Sequence, residues 1–474
     1  MHARIARAVL ISALSTLAGC AVGPDYQRPD VAAPAQFKET QGWKMAEPRD
    51  EAPRSPWWER YGDPQLNGLV AQVEVSNQNV QAAAAQYRQA QAVLGASRAS
   101  YFPTVTGGFA ATRGQGATSA STTTGAIRNT DQLSLGASWE ADVWGRIGRG
   151  VESSAASAEA SAADLQAALL SAQGTLVQSY TQLRVNDAQR RLLDETVAAY
   201  ERSLEITRNR YASGVAARID VAQAETQLKT TQAQAIDLGV QRAQLEHAIA
   251  LLIGKAPADF SLPRTDTLPV LPQIPVDLPS VLLERRPDVA AAERRAAAAN
   301  AQIGVAQSAF FPALTFSAAG GYQNTSLSQL LSLPNRFWSL GPALAQTLFD
   351  GGARSARKDQ AIAAYDQSVA TYRQAVLTAF QDVEDNLAAL HVLAAEQVAQ
   401  REATQFAEES LRLTENQYQS GTVSYLNVVV AQATALSAKI SSLNITGRRL
   451  LASAALLKAL GGDWRAAGIA EQKP

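Results

Sequence analysis

The side chains that most often carry covalent or metal chemistry are scarce in this sequence. Cys20 is the single cysteine among 474 residues, and the three histidines are His2, His247 and His391. His2 falls in an N-terminal targeting segment and the other two fall inside helical patterns. A Cys/His metal site or a Cys–His nucleophile pair therefore has no material to form from. No glycine-rich phosphate loop is present. Carboxylates are plentiful, yet spacing alone defines no catalytic pair. With 42 basic and 43 acidic side chains the formal net charge is −1, unlike a nucleic-acid binder with its basic face. The reading is a non-enzymatic chain with no cofactor, no metal and no nucleic-acid partner.

The thiol of Cys20 sits in a distinctive setting. Arg4 and Arg7 precede an apolar stretch, Ala8 to Ala18, that is too short to span a bilayer. It ends in Leu17-Ala18-Gly19-Cys20, which resembles the bacterial lipoprotein cleavage box. That resemblance implies removal of residues 1–19, acylation of Cys20 and anchorage in lipid. The residue after the cysteine is Ala21 and not Asp, which by the same resemblance implies the outer membrane. An ordinary signal peptide with an incidental cysteine is the alternative. Downstream there is no run of about 18 apolar residues, so no membrane helix is expected. A mature chain that spans a membrane must then do so with strands closed into a barrel.

The elements that would build such a barrel are written twice. Tyr101-Phe102-Pro103-Thr104-Val105-Thr106 matches Phe310-Phe311-Pro312-Ala313-Leu314-Thr315 at an offset of 209 residues. Arg210-Tyr211-Ala212-Ser213-Gly214-Val215 matches Gln417-Tyr418-Gln419-Ser420-Gly421-Thr422-Val423 at an offset of 207. Two matches in the same order at nearly one offset mark an internal duplication. Each half reads helix, strand pair, long helix, sharp turn, helix. The halves span 67–253 and 283–460, with strand pairs at 102–113 and 131–144 and at 311–323 and 337–349. Hairpin tips fall near 211–219 and 418–425. Residues 20–66 form an extended Pro-containing leader, 254–282 a Pro-rich linker and 461–474 a tail.

Small or apolar residues recur every three or four positions from Val151 through Leu165, Leu176 and Tyr180 to Leu204, a helical stripe. No proline interrupts Ile147 to Tyr211, so this helix reaches on the order of 95 Å. A second stripe runs from Ile362 through Tyr372, Val376 and Val383 to Leu390. Helices of this length pack as coiled coils, and the Gln, Ser, Thr and Asn on their other faces suit a wall wetted from inside. Leu133, Leu135, Ala137, Trp139, Ala141 and Val143 alternate with polar or small residues, giving a strand with one apolar face. Aromatic residues gather at strand ends, among them Phe102, Trp139, Trp144, Phe311, Trp338 and Phe349, in the manner of interfacial girdles. Four strands cannot close a barrel, and open edges are not tolerated in lipid, so several copies must contribute to one barrel. The count alone permits a dimer or larger.

The chain resembles the TolC-type outer-membrane efflux factors, in the lipoprotein (NodT-like) branch serving resistance-nodulation-division (RND) pumps. The motifs are Cys20-Ala21-Val22-Gly23-Pro24-Asp25-Tyr26, Trp57-Trp58 with Asp63-Pro64-Gln65-Leu66, and Glu284-Arg285-Arg286-Pro287-Asp288-Val289. Phe310-Phe311-Pro312, Leu348-Phe349-Asp350-Gly351-Gly352 and the paired Tyr-x-x-Gly turns complete the set. The resemblance implies an α+β fold and a homotrimer whose shared barrel has twelve strands, four per protomer. Below it come a helical periplasmic tunnel and an equatorial domain. It also implies a periplasmic adaptor, an inner-membrane pump, and hairpin tips that meet the adaptor and form a gate.

Gly214 and Gly421 supply the positive backbone angle that a tight turn needs. Tyr211 and Tyr418 are expected to pack across their turns and Asp220 to cap the returning helix. These roles shape a hairpin whether or not a partner reads them. Related channels often carry Leu, Asp and Arg on the helix after the second turn, where this chain has Leu426, Val430 and Ala433. An apolar constriction at Leu426 and Val430 is the expectation. Drug or small-molecule efflux is the leading function; an exit channel for protein (type I) secretion, or for another pump class, is the alternative.

Overall fold

The computed structural model describes residues 21–34, 36–39, 56–115, 127–265, 267–274 and 286–462. The expected cleavage and acylation site at Cys20 therefore lies outside the described residues, as do most of the tail and parts of the leader and linker. Seven long helices and four strands make up the described chain. They are α1 (Pro64–Ser76), α2 (Gln78–Ala99), β1 (Thr104–Gln115), β2 (Ile127–Ala141), α3 (Arg146–Ala212) and α4 (Arg218–Leu252). The second half gives α5 (Pro287–Ser308), β3 (Ala313–Asn324), β4 (Arg336–Ala345), α6 (Ala353–Gln419) and α7 (Tyr425–Ala459). The duplication is visible in lengths: α3 and α6 have 67 residues each, α4 and α7 have 35 each.

Several ends differ from the sequence reading. The strands were expected at 102–113, 131–144, 311–323 and 337–349, but β1 and β3 begin two residues later. Pro103 and Pro312 lack the N–H that a ladder needs and hold Phe102 and Phe311 outside it. β2 stops at Ala141 because Asp142 turns away to cap α3, accepting from the amides of Ile147 at 2.9 Å and Gly148 at 2.7 Å. β4 stops at Ala345, four residues short of Phe349, and Asp350 then caps α6 through Gly352 and Arg354. The first helix of the first half is broken at Asn77. Its Oδ1 accepts from Asn79 and Val80, and its Nδ2 donates to the Leu252 carbonyl at 2.8 Å.

The chain divides into two compact units, and each draws on both sequence halves. One is drawn from Met1–Asp30, Gln86–Ser161 and Ala291–Tyr372; the other from Val31–Ala85, Ala162–Ala290 and Arg373–Pro474. The first holds the sheet, in the order β1-β2-β3-β4, antiparallel throughout. Residues directly opposite one another share a face. One face carries the rows Val105–Ala137–Ala318–Leu340, Gly107–Leu135–Gly320–Trp338, Trp139–Phe316–Pro342 and Ala141–Leu314–Leu344. The other carries Thr104–Ser138–Ser317–Gly341, Thr106–Gly136–Ala319–Ser339 and Glu140–Thr315–Ala343. Apolar rows extend about 27 Å along β2 from Leu133 to Ala141, close to the height of a membrane-spanning apolar band.

The leader is bound to this first unit. Val22 donates to the Trp144 carbonyl, Asp25 pairs with Arg149 at 2.6 Å and Tyr26 donates to Glu293 at 2.7 Å. Burial is the main cause that raises the Tyr26 phenol well above its ordinary value, and the Glu293 carboxylate adds to it. Thus the Gly-Pro-Asp-Tyr motif is a docking sequence for the leader.

In the second unit the Asp-Pro-Gln-Leu motif closes a buried polar network. Asp63 caps α1 at the amides of Gln65 and Leu66 and accepts from the Tyr180 hydroxyl at 2.6 Å. Arg184, fully buried, donates to the Tyr180 hydroxyl, Gln65, Asp187 and the Pro263 carbonyl. Arg242 bonds Asp187, Glu246 and the Leu262 carbonyl, so the linker is tied to α3 and α4. Arg286 of the second motif pairs with Asp288 at 2.6 Å and Asp382 at 2.9 Å. Among the described helices α7 is long and apolar enough to cross a membrane. Composition along the chain did not single it out, and packing explains its character: Val428, Ile445, Leu450, Ala454 and Leu456 are all buried. Replacing Arg184 by Leu is expected to cost roughly 3 kcal/mol, since it strips a partner from buried Asp187. Denaturant unfolding of the purified protein, followed by helical circular dichroism, measures it.

Candidate functional site

The α3–α4 and α6–α7 turns are built alike. Gly214 has φ 75° and Gly421 has φ 77°, in the left-handed region. Gly214 donates to the Tyr211 carbonyl and Val215 to that of Arg210; Gly421 donates to Tyr418 and Thr422 to Gln417. This double closure satisfies the last carbonyls of each long helix. A side chain at either glycine costs about 1–2 kcal/mol of backbone strain. Asp220 reaches back from the third position of α4 and accepts from the Ala217 amide at 3.1 Å. It is half of a capping box, because Ala217 has no oxygen with which to reciprocate.

Packing distinguishes the two tips. Tyr200 and Leu204 of α3, Val221, Ala224 and Leu228 of α4, Tyr418 of α6, and Tyr425 and Val428 of α7 form one buried cluster. Within it the rings of Tyr418 and Tyr425 meet edge-on at 5.2 Å, and the Tyr425 hydroxyl lies 3.2 Å from Ser203 Oγ. Burial pushes the Tyr425 phenol above its usual range. Tyr418 is 8% exposed, as expected of a tyrosine packed across its turn, but Tyr211 is 46% exposed and does not pack in this way. The duplication explains the difference. The residue 207 positions before Tyr425 is Arg218, so Tyr211 has no ring to meet.

Sequence reasoning missed Arg210. Its guanidinium lies 4.7 Å from the Tyr418 ring centroid, and Nη1 donates to the Gln419 carbonyl at 3.1 Å. It thereby joins the end of α3 to the end of α6, a cation supplied to unpaired C-terminal carbonyls. The legible signal was a basic residue in the last turn of α3, where the second half has Gln417.

Leu426 and Val430 stand one turn apart on the exposed face of α7, at 52% and 58% exposure. Ala433, Thr434 and Ser437 continue that exposed face, while Tyr425, Val428, Ala431 and Ala435 are buried on the other. No charge stands at positions 426, 430 or 433. Among the described residues no group of three His, Cys, Asp or Glu side chains could hold a metal ion.

The strand-end aromatics fall at two levels. Phe102, Trp139, Trp144, Phe311 and Phe349 lie at the sheet end that leads into the helices, and Trp338 lies toward the other end. Trp139 stacks on Phe316 and donates to the Tyr101 carbonyl; Trp144 stacks on Phe311 and donates to that of Pro312.

A two-faced sheet with open edges, joined to duplicated helical hairpins, defines the fold of an outer-membrane efflux channel. The chain belongs to the outer membrane efflux protein family, whose model matches residues 69–255 and 278–462. It is 30% identical over 453 residues to a probable efflux pump outer membrane protein, TtgC, of Pseudomonas putida, covering 94% of this chain and 93% of that one. It is 32% identical to the solvent efflux pump outer membrane protein SrpC of Pseudomonas putida, covering 95% and 97%. The solved structure of the outer-membrane channel OprN aligns with a TM-score of 0.88 at 31% identity, over 94% of this chain and 100% of that one.

Replacing Arg210 by Ala is expected to loosen the second tip by on the order of 1–2 kcal/mol, from the lost ring contact and the lost charged hydrogen bond. Hydrogen exchange at residues 416–424 then speeds up roughly tenfold, and unchanged exchange there would refute the assignment.

Proposed function

We propose that this protein is the outer-membrane channel subunit of a tripartite efflux system, through which small molecules delivered by an inner-membrane RND pump and a periplasmic adaptor leave passively. The observation that carries this reading is the sheet: one apolar face, one polar face and two edges without partners among the described strands. Three copies of the four strands give a closed twelve-stranded barrel with its Thr/Ser/Gly face on a wet lumen. The energy for transport belongs to the pump. The relatives named for solvent and other efflux support small molecules as cargo.

Cys20 carries the acyl anchor after removal of residues 1–19, and the strand-end aromatics hold the barrel at the two membrane interfaces. The bound leader supports this anchor position, since Val22, two residues after Cys20 in the sequence, is fixed at the Trp144 carbonyl. The tips at Tyr211, Gly214, Asp220, Tyr418 and Gly421 receive the adaptor. Leu426 and Val430 form the periplasmic gate, closed by apolar packing and dewetting.

Two measurements test these roles. In planar bilayers Leu426→Ala and Val430→Ala are each expected to raise single-channel conductance at least twofold and to increase antibiotic leakage in cells. Equal conductance for both variants would move the constriction elsewhere. Gly214→Val and Gly421→Val are expected to raise dye accumulation several-fold in cells while the amount of oligomer stays unchanged. Normal efflux by both would remove the tips from adaptor docking.

A further inference from the structure

The link between a strand and the long helix after it occurs twice in this chain, and only one copy is covered. In the first half the link leaving β2 carries Trp144, which stacks on Phe311 at 4.8 Å and donates from Nε1 to the Pro312 carbonyl at 2.7 Å. Phe311-Pro312 is the lead-in to the next strand, β3. The link leaving β4 in the second half carries Leu348 and Phe349, and each is 89% exposed. The lead-in of β3 lies on the inner side of this link, where Gln346 donates to the Phe310 carbonyl at 3.4 Å, but no strand follows β4 in the sheet to supply a lead-in on the outer side. The duplicated lead-in, Tyr101-Phe102-Pro103, precedes β1 at the opposite edge of the sheet, where Phe102 is 71% exposed. Two exposed apolar groups thus stand at the same level of the two unpaired edges, and the internal repeat already contains the contact each of them lacks.

We infer that Leu348 and Phe349 of one protomer pack on Tyr101-Phe102-Pro103 of a second copy of this chain, reproducing at the subunit seam the Trp144–Phe311 contact within the chain. This rests on the oligomeric barrel proposed above. The barrel supplies the continuity: once β4 of one copy pairs with β1 of the next, the link and the lead-in become neighbours, as they are between β2 and β3. Both groups keep their level at the membrane interface; the competing occupant is lipid, with the rings turned outward and away from the neighbouring copy. At the seam the ring of aromatic contacts around the barrel becomes continuous, and each copy contributes half of every second contact.

The test pairs Phe102→Cys with Phe349→Cys in the full-length protein, extracted in detergent and treated with a short bis-maleimide. Cross-linked dimers and trimers are expected in the double variant and in neither single variant. Analytical ultracentrifugation of the same samples reports the oligomer separately, and a Phe349→Trp variant in vesicles of brominated phosphatidylcholine reports lipid exposure. A stable oligomer that does not cross-link, with strong bromine quenching at position 349, would overturn the seam contact and leave the barrel intact. A monomer of the untreated wild-type chain would overturn both.

Discussion

An amide or carbonyl that faces hydrocarbon without a partner costs several kcal/mol, and no water is there to relieve it. The outer edges of β1 and β4 carry whole rows of such groups, beside a face of Val, Leu, Phe and Trp that water would reject. Almost every other feature of the chain can be derived from this conflict. In the proposed barrel the sheet needs copies of itself, and copies can only meet if each presents the same register and level. The devices that fix level are therefore numerous. Pro103 and Pro312 start the strands, Asp142 and Asp350 end the links, and the leader is held at Trp144 by Val22.

In the long helices the physics changes from backbone satisfaction to side-chain packing. The long helices are rich in Ala, Ser, Thr and Gln, so they bury modest apolar area per residue and rely on length. Where the chain must be held firmly it uses buried charge instead. Arg184, Arg242 and Arg286 each gather two or more acceptors; the first two tie the linker to α3 and α4, and the third ties the start of α5 to α6. Such networks are costly to break because removal of one partner strands another.

Much of this was legible from residue order. The period of two in β2, the proline-free runs of α3 and α6 and the repeated turn motifs all name their elements without help. Strand ends were less legible, because the cap of a following helix competes with the ladder and only geometry shows that Asp142 wins over Val143 and Trp144. The Asp-Pro-Gln-Leu and Arg-Arg-Pro-Asp motifs could be recognised but not explained, since their partners, Tyr180, Arg184 and Asp382, lie about a hundred residues away. Arg210 was missed for a different reason: its partner sits on the other repeat, and turn motifs are read within a hairpin. Tyr211 was misjudged because the duplication suggested equivalence where Arg218 had replaced an aromatic ring.

That last divergence has a mechanical meaning. Two turns of the same backbone geometry end side by side over one shared buried cluster; the second adds the Tyr418–Tyr425 ring contact and receives Arg210, the first adds the Arg208–Glu225 pair and the half-buried cap Asp220. A duplicated element whose copies differ in which side chains they bury can divide labour. The second copy keeps its tyrosine inside the bundle end, and the first turns its own, Tyr211, out to solvent.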